Sequence, residues 1–218
     1  MRIDLHMHTL MSDGELLPIE LARRAFVKGH EAIAFTDHAS LSNLERVINE
    51  GRKDAELASE WGLKVLAGVE LTHVPASRLS YVAERARQLG AEIIVVHGET
   101  IVEPVEPGTN YVSACDPNID ILAHPGLIDE RTAQAAADNG VHLEITSKMA
   151  HCRTNGHVAM MARKVGARLV INTDTHSPSD LMDENMALKV ALGAGLSTIS
   201  AKQALERNPL ELIKRLGR

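Results

Sequence analysis

The stretch RIDLHMHT (residues 2–9) sets an apolar run against two imidazoles, His6 and His8, spaced i and i+2. Residues two apart on a strand point to the same side, so this pair can grip one ion from a strand end. The stretch RLVINTDTHSP (residues 168–178) repeats the device with Asp174 and His176 after another apolar run. Between the two lie further runs of strand length at 32–36, 65–71, 93–97, 119–124 and 142–146. Most are continuously apolar, as strands buried on both faces are. Helical patterns separate them. Pro18 opens the first, where a missing N–H costs little, and Gly29 suits its stop. Ser77 is expected to cap a helix running through Leu79, Val82, Ala83 and Ala86 to Gly90. Asp129 and Asn155 are expected caps of helices ending near Gly140 and Gly166, and Ser177-Pro178 reads as a further helix start.

Strand–helix alternation means parallel strands with helical crossovers, in an open sheet or a closed barrel. The strand ends choose between them. Each run delivers an imidazole or a carboxylate at its C-terminal end: His6 and His8, Asp37-His38, Glu70, His97, His124, Glu144, and Asp174 with His176. A barrel brings such ends to one face, whereas an open sheet spreads them along a line. A shared site selects the barrel. The expected fold is α/β, a distorted seven-stranded TIM-like barrel forming one domain over residues 1–218.

Bulk composition narrows the function. Net charge is −6 and there are five aromatic residues, which disfavours a nucleic-acid partner that needs a basic face and stacking platforms. No apolar run approaches the ~18 residues of a membrane span, and the first residues lack the pattern of a secretory leader. Cys115 and Cys152 are too few for a disulfide framework, so a reducing, cytoplasmic setting is expected. The ligand-type residues at the strand ends are histidines and carboxylates without cysteine, a set that suits Zn, Mn or Fe in a hydrolytic site. So many ligands would crowd one ion, and clusters of ions clamp both oxygens in phosphoryl transfer.

DLHMHTLMSDGELLP (4–18) and EAIAFTDHAS (31–40) resemble the opening of the PHP family, named for polymerase and histidinol phosphatase domains. AGVEL, VVHGE, ILAHPG and NTDTHSP resemble its later motifs in the same order, so that the likeness runs from Arg2 to about Leu196. The resemblance implies three divalent ions. His6 and His8 would hold the first with Glu70 and Asp174. Glu70 would bridge to a second, held also by His97 and His124, and Asp13, His38 and His176 would hold the third. Only the resemblance singles out Asp13, which otherwise reads as a turn residue before Gly14. It further implies hydrolysis of a small phosphate monoester, as in histidinol phosphatases, by attack of a metal-bound hydroxide.

The loop after the sixth strand, TSKMAHCRTNGH (146–157), offers Lys148 and Arg153 to a substrate phosphate, Arg with the better-matched fork. His151 and His157 in this loop are expected to be solvated or capping. His30 and His142 fall toward strand beginnings, the face concerned with stability; Glu144 is expected to support the ligands from behind or to contact substrate, and His73, just beyond Glu70, reads first as a plain structural residue and second as such a support. The segment 98–117 is long for a loop, with a helical turn expected at 111–115, and its Glu99, Glu103 and Glu106 either attract a cationic substrate or are solvated. The alternatives to a phosphatase are a metal-dependent amide or lactone hydrolase and a non-catalytic metal-binding regulatory barrel.

Overall fold

The computed structural model describes residues 1–217. Strand β1 (Arg2–Met7) pairs in parallel with β2 (His30–Phe35), and β2 with β4 (Lys64–Ala67). A second parallel ladder runs β3 (His38–Ala39), β5 (Val69–Leu71), β6 (Ile94–His97), β7 (Ile121–Ala123), β8 (His142–Thr146) and β9 (Leu169–Asn172). β3 resumes the run of β2 beyond Thr36-Asp37, and β5 resumes that of β4 beyond Gly68. The expected runs are therefore all present; 65–71 is broken at Gly68, and a short strand continues beyond 32–36. A Cβ on Gly68 would lie 2.3 Å from the Ile93 carbonyl oxygen, so only glycine lets this run pass so close to its neighbour.

The ring closes between β1 and β9 with scarcely any ladder. One bridge joins Met7 to Thr175, and the His8 amide donates to the Thr175 carbonyl at 2.8 Å. Side chains do the rest. Asn172 Oδ1 accepts from the Leu5 amide at 2.9 Å, and the buried Arg2 guanidinium donates to the Ile171 carbonyl at 2.9 Å and to Asp4 at 2.6 Å. This seam is where the barrel is distorted.

Ile3, Leu5, Ala34, Leu66, Val95, Ile121 and Val170 fill the interior, and Leu212 and Ile213 of the helix Asn208–Leu216 pack onto them from the N-terminal end. The outer helices bury apolar stripes against the other faces of the strands. Helix α1 (Pro18–Val27) contributes Leu21, Ala22 and Ala25, α2 (Leu44–Ser59) contributes Val47 and Ile48, and α3 (Leu79–Gln88) contributes Val82, Ala83 and Ala86. Among the described residues no helix is long and apolar enough to cross a membrane.

The caps came out unevenly. Asp129 does cap the helix Glu130–Asn139, accepting from the Thr132 amide at 2.7 Å. Ser77 does not cap α3; it lies inside a 3-10 turn, Ala76–Arg78, that leads into the helix. Asn155 is the first residue of the helix Asn155–Val165 rather than its cap, and its amide clamps the Thr146 backbone at 3.2 and 2.7 Å. Ser177-Pro178 begins no helix. Asp180 turns back to accept from the His176 and Ser177 amides at 2.9 and 2.8 Å, so this segment shapes the His176 turn, and the next helix waits for its cap at Asp183.

His30 and His142 are buried away from the strand ends, as expected. Burial and the Arg2 charge push His30 down to about 3; burial with Arg215 and Arg168 pushes His142 down to about 4. Both rings are thus neutral in the folded chain but take protons in the unfolded chain near the ordinary imidazole value, ~6.5. The unfolded state then binds more protons below ~6.5, and stability falls as pH falls toward 4. Each ring is expected to contribute a loss of about 2 kcal/mol between pH 7 and pH 5. Urea unfolding of metal-stripped protein and its His30→Asn variant at the two pH values checks this. An identical loss in both proteins would remove His30 from the account.

Candidate metal centre

Parallel pairing brings the strand ends into register at one mouth: His38 stands beside Glu70 across β3 and β5, and Glu70 beside Val95 of β6. His6 Nε2 and His8 Nε2 are 3.1 Å apart, and both face carboxylates. His6 Nε2 lies 3.3 Å from Glu70 Oε1, and His8 Nε2 lies 3.2 Å from Asp174 Oδ1. Glu70 also reaches His124 Nε2 at 3.6 Å and His38 Nδ1 at 2.7 Å. On the outer side, Asp13 Oδ1 is 3.3 Å from His176 Nε2, 3.6 Å from His38 Nε2 and 3.9 Å from His8 Nδ1. His97, His124 and His151 form a third group whose ligand atoms lie within 4.8 Å of one another. All nine side chains singled out as ligands therefore converge, in overlapping groups.

The loops that carry them are braced. Asp37 accepts from the amide and hydroxyl of Thr9 at 2.7 and 2.8 Å and from the Ser12 hydroxyl at 2.7 Å, pinning the loop on which Asp13 rides. A Cβ on Gly14 would meet the His8 carbonyl oxygen at 2.5 Å. His124 and Asp174 hold left-handed backbone at φ 27° and 54°, a strain that non-glycine residues keep where surrounding structure enforces it. Behind His6, Glu144 Oε1 faces Nδ1 at 2.8 Å and accepts from Asn172 at 2.9 Å. Glu144 is thus the expected support and turns His6 Nε2 into the site.

Glu70 Oε1 and Asp174 Oδ1 are buried and make no hydrogen bond among the described residues. A buried carboxylate oxygen without a hydrogen bond is costly, and a divalent cation would satisfy it. Titration behaviour in the metal-free chain agrees. Burial pushes the Asp174 carboxyl up to about 7, with His6 opposing and Glu70 adding to the rise. Burial opposes charge on His97, yet Glu70 and Glu103 raise it to about 9. Burial likewise opposes charge on His6, and Glu144, Glu70 and Asp174 still lift it well above an ordinary imidazole. Burial, then His38, drives His8 well below; burial, then His97, does the same to His124. Protons on some imidazoles stand in for cations, and the residues fit a cluster of divalent ions.

The remaining expectations divide. Lys148 Nζ lies 2.7 Å from His176 Nδ1, which also faces the Asp174 carbonyl oxygen at 2.9 Å. Arg153 is exposed on the turn His151–Thr154, and its side chain makes no hydrogen bond among the described residues. His157 is structural, with Nε2 2.7 Å from the Ile128 carbonyl oxygen. His73 is half exposed and lies 3.8 Å from Glu103. Glu99 accepts from the Gly108 and Asn110 amides, and Glu106 from the Ala76 amide, so both are spent on loop structure. Glu103 instead turns inward, 3.0 Å from His97 Nε2. His151, expected to be solvated or capping, is buried among the ligands. The signal available was its position on a loop at the strand ends, the same signal that marked Lys148 and Arg153.

This barrel with a mouthful of histidines and carboxylates belongs to a defined class. The PHP domain family matches residues 4–161, and the chain is a member of it. An uncharacterised protein of Methanocaldococcus jannaschii is 50% identical, covering 99% of this chain and 100% of its own length. A probable phosphatase of Caldanaerobacter subterraneus is 28% identical, covering 99% and 93%. Among solved structures, a chain in archaeal ribonuclease P with mature tRNA shares the fold at a TM-score of 0.71 and 16% identity, covering 97% of this chain and 90% of that one.

Proposed function

We propose that the chain is a metal-dependent phosphoesterase that hydrolyses a small phosphate monoester, in the manner of histidinol phosphatases, with three divalent ions, Zn, Mn or Fe. The observation that carries this reading is the full convergence of His6, His8, Asp13, His38, Glu70, His97, His124, Asp174 and His176 around buried carboxylate oxygens that lack partners. The likeness to a probable phosphatase along nearly the whole of both chains supports it.

Bound divalent ions would supply the activated water and the charge that draws in and neutralises a phosphate dianion. The chain does the placing. Glu144 and Asn172 hold His6 in orientation, Asp37 holds the loop of Asp13, and Asp180 holds the turn of His176. Lys148, whose Nζ lies 2.7 Å from His176 Nδ1, would meet a phosphate oxygen, and Arg153, exposed on the same loop, would offer its fork. Exposed Leu10, Leu41, Ile101, Leu127 and Met149 lie on the loops that follow strands. Such a rim, with little positive charge, suits a compact substrate better than a polynucleotide backbone. A second reading, beyond the alternatives drawn from the sequence, is an RNA substrate, because the fold recurs in a chain of ribonuclease P. The cytoplasm is the proposed compartment.

A panel of phosphomonoesters, phosphodiesters, single-stranded RNA, amides and lactones, each with Zn²⁺ or Mn²⁺, tests the assignment. Phosphate release from monoesters, lost on chelation, is expected. Full metal loading with cleavage confined to RNA, amides or lactones, or with no turnover at all, would overturn it.

A further inference from the structure

His151 lies outside the set of nine, on a short 3-10 turn entered through Ala150 at φ 77°. A non-glycine residue in that region is strained, and the turn it makes carries an imidazole inward, where it is 7% exposed. The ring stacks on His124 at 4.3 Å between centroids, 16° from parallel, and meets His97 edge-on at 5.9 Å. Its Nδ1 is 2.7 Å from Thr100 Oγ1. With Nδ1–H donating to that hydroxyl, Nε2 is left with a free lone pair aimed at the cluster, which is the tautomer a metal-binding imidazole needs. His38, one of the nine, has its Nδ1 2.7 Å from Thr72 Oγ1 in the same manner. Glu103 spans the gap, with Oε1 3.4 Å from His151 Nε2 and Oε2 3.0 Å from His97 Nε2. Two imidazole nitrogens and a carboxylate are therefore aimed at one place.

We propose that His151 is a further metal ligand, which completes with His97 and His124 a three-imidazole position, and that Thr100 is its positioning residue. The inference rests on the metal-centre reading above and extends it. It also gives the 98–117 segment a role: the loop brings Thr100 to brace the third imidazole and Glu103 to cover it. A position built of three imidazoles favours nitrogen-seeking ions such as Zn²⁺ or Co²⁺ over Mn²⁺.

Stripped protein is titrated with Co²⁺, and bound metal and the visible Co²⁺ bands are read for wild type, His97→Ala, His151→Ala, Thr100→Val and Thr100→Ser. His97→Ala and His151→Ala are each expected to weaken the same single equivalent. Thr100→Val should weaken it about 10-fold and Thr100→Ser restore it, the size expected for a partner behind a ligand. Because Cys115 and Cys152 are free thiols, a His151→Cys variant is made in a Cys115→Ala, Cys152→Ala background; loaded with Cd²⁺ it should gain a thiolate-to-metal charge-transfer band absent from the Cd²⁺-loaded background protein, and this decides the matter if His151→Ala fails to fold. Wild-type Co²⁺ affinity and bands in His151→Ala, or no new band in His151→Cys, overturn the inference. If His97→Ala nevertheless loses an ion, the metal centre stands without His151. If His97→Ala also binds as wild type does, the metal-centre reading falls with it.

Discussion

Glu70→Ala and Glu70→Gln are each expected to lower phosphomonoester kcat/KM by on the order of 10³-fold or more at saturating metal. Glu70 and Asp174 each reach four imidazoles of the centre, Asp174 those of His6, His8, His124 and His176. Glu70 touches His6 at 3.3 Å, His8 at 3.7 Å, His38 at 2.7 Å and His124 at 3.6 Å. Asp13 is more than half exposed and faces only the outer group, through His8, His38 and His176. Removing the Glu70 charge leaves the imidazoles in place but takes away the anion shared between positions. The glutamine variant keeps the volume, so a loss there reports charge rather than a cavity. Steady-state kinetics with metal content measured in parallel is the check. A Glu70→Gln enzyme within ten-fold of wild type would strip Glu70 of its bridging role.

Metal removal is expected to destabilise the folded chain by roughly 4 kcal/mol per ion, for ions present at about 1,000 times their dissociation constants, or about 12 kcal/mol for three. The cause lies in the charges described above. Two buried carboxylates, Glu70 and Asp174, are held near one another, and without cations Asp174 retains a proton up to about 7. Metal uptake must displace such protons, so affinity rises with pH, and proton release accompanies binding. Urea unfolding at pH 7 with chelator, then with Zn²⁺ or Mn²⁺ restored, measures the difference, and a pH indicator in weak buffer follows the protons. Equal unfolding midpoints with and without metal would refute the prediction.

The strand ends were legible because two local rules agree there: side chains alternate with period two, and barrel strands deliver their C-terminal residues to one face. His6 with His8, and Asp174 with His176, obey both. Asp13 obeys neither. It sits on a loop whose position is set by Asp37, and only the family motif revealed it. Nothing local in the sequence distinguishes His151 from His157 six residues on; its burial comes from the left-handed Ala150 and from Thr100, 51 residues away. The helix starts failed for a related reason. Asn155 and Ser177-Pro178 look like caps, but the amide of Asn155 is spent on Thr146 and the Ser177 turn on Asp180. Long-range hydrogen bonds overrode the local preference.

The seam between the first and last strands also bears on how the chain is made. Translation delivers His6 and His8 early, and Asp174 and His176 only after β9 has left the ribosome. With one backbone bridge and a few side chains to join those edges, the nascent barrel stays open through most of synthesis. Closing a loop of this length is slow and entropically unfavourable. Cations that bind both edges would then act as a clasp, and maturation in the cell would hinge on the supply of metal at the moment the last staves emerge.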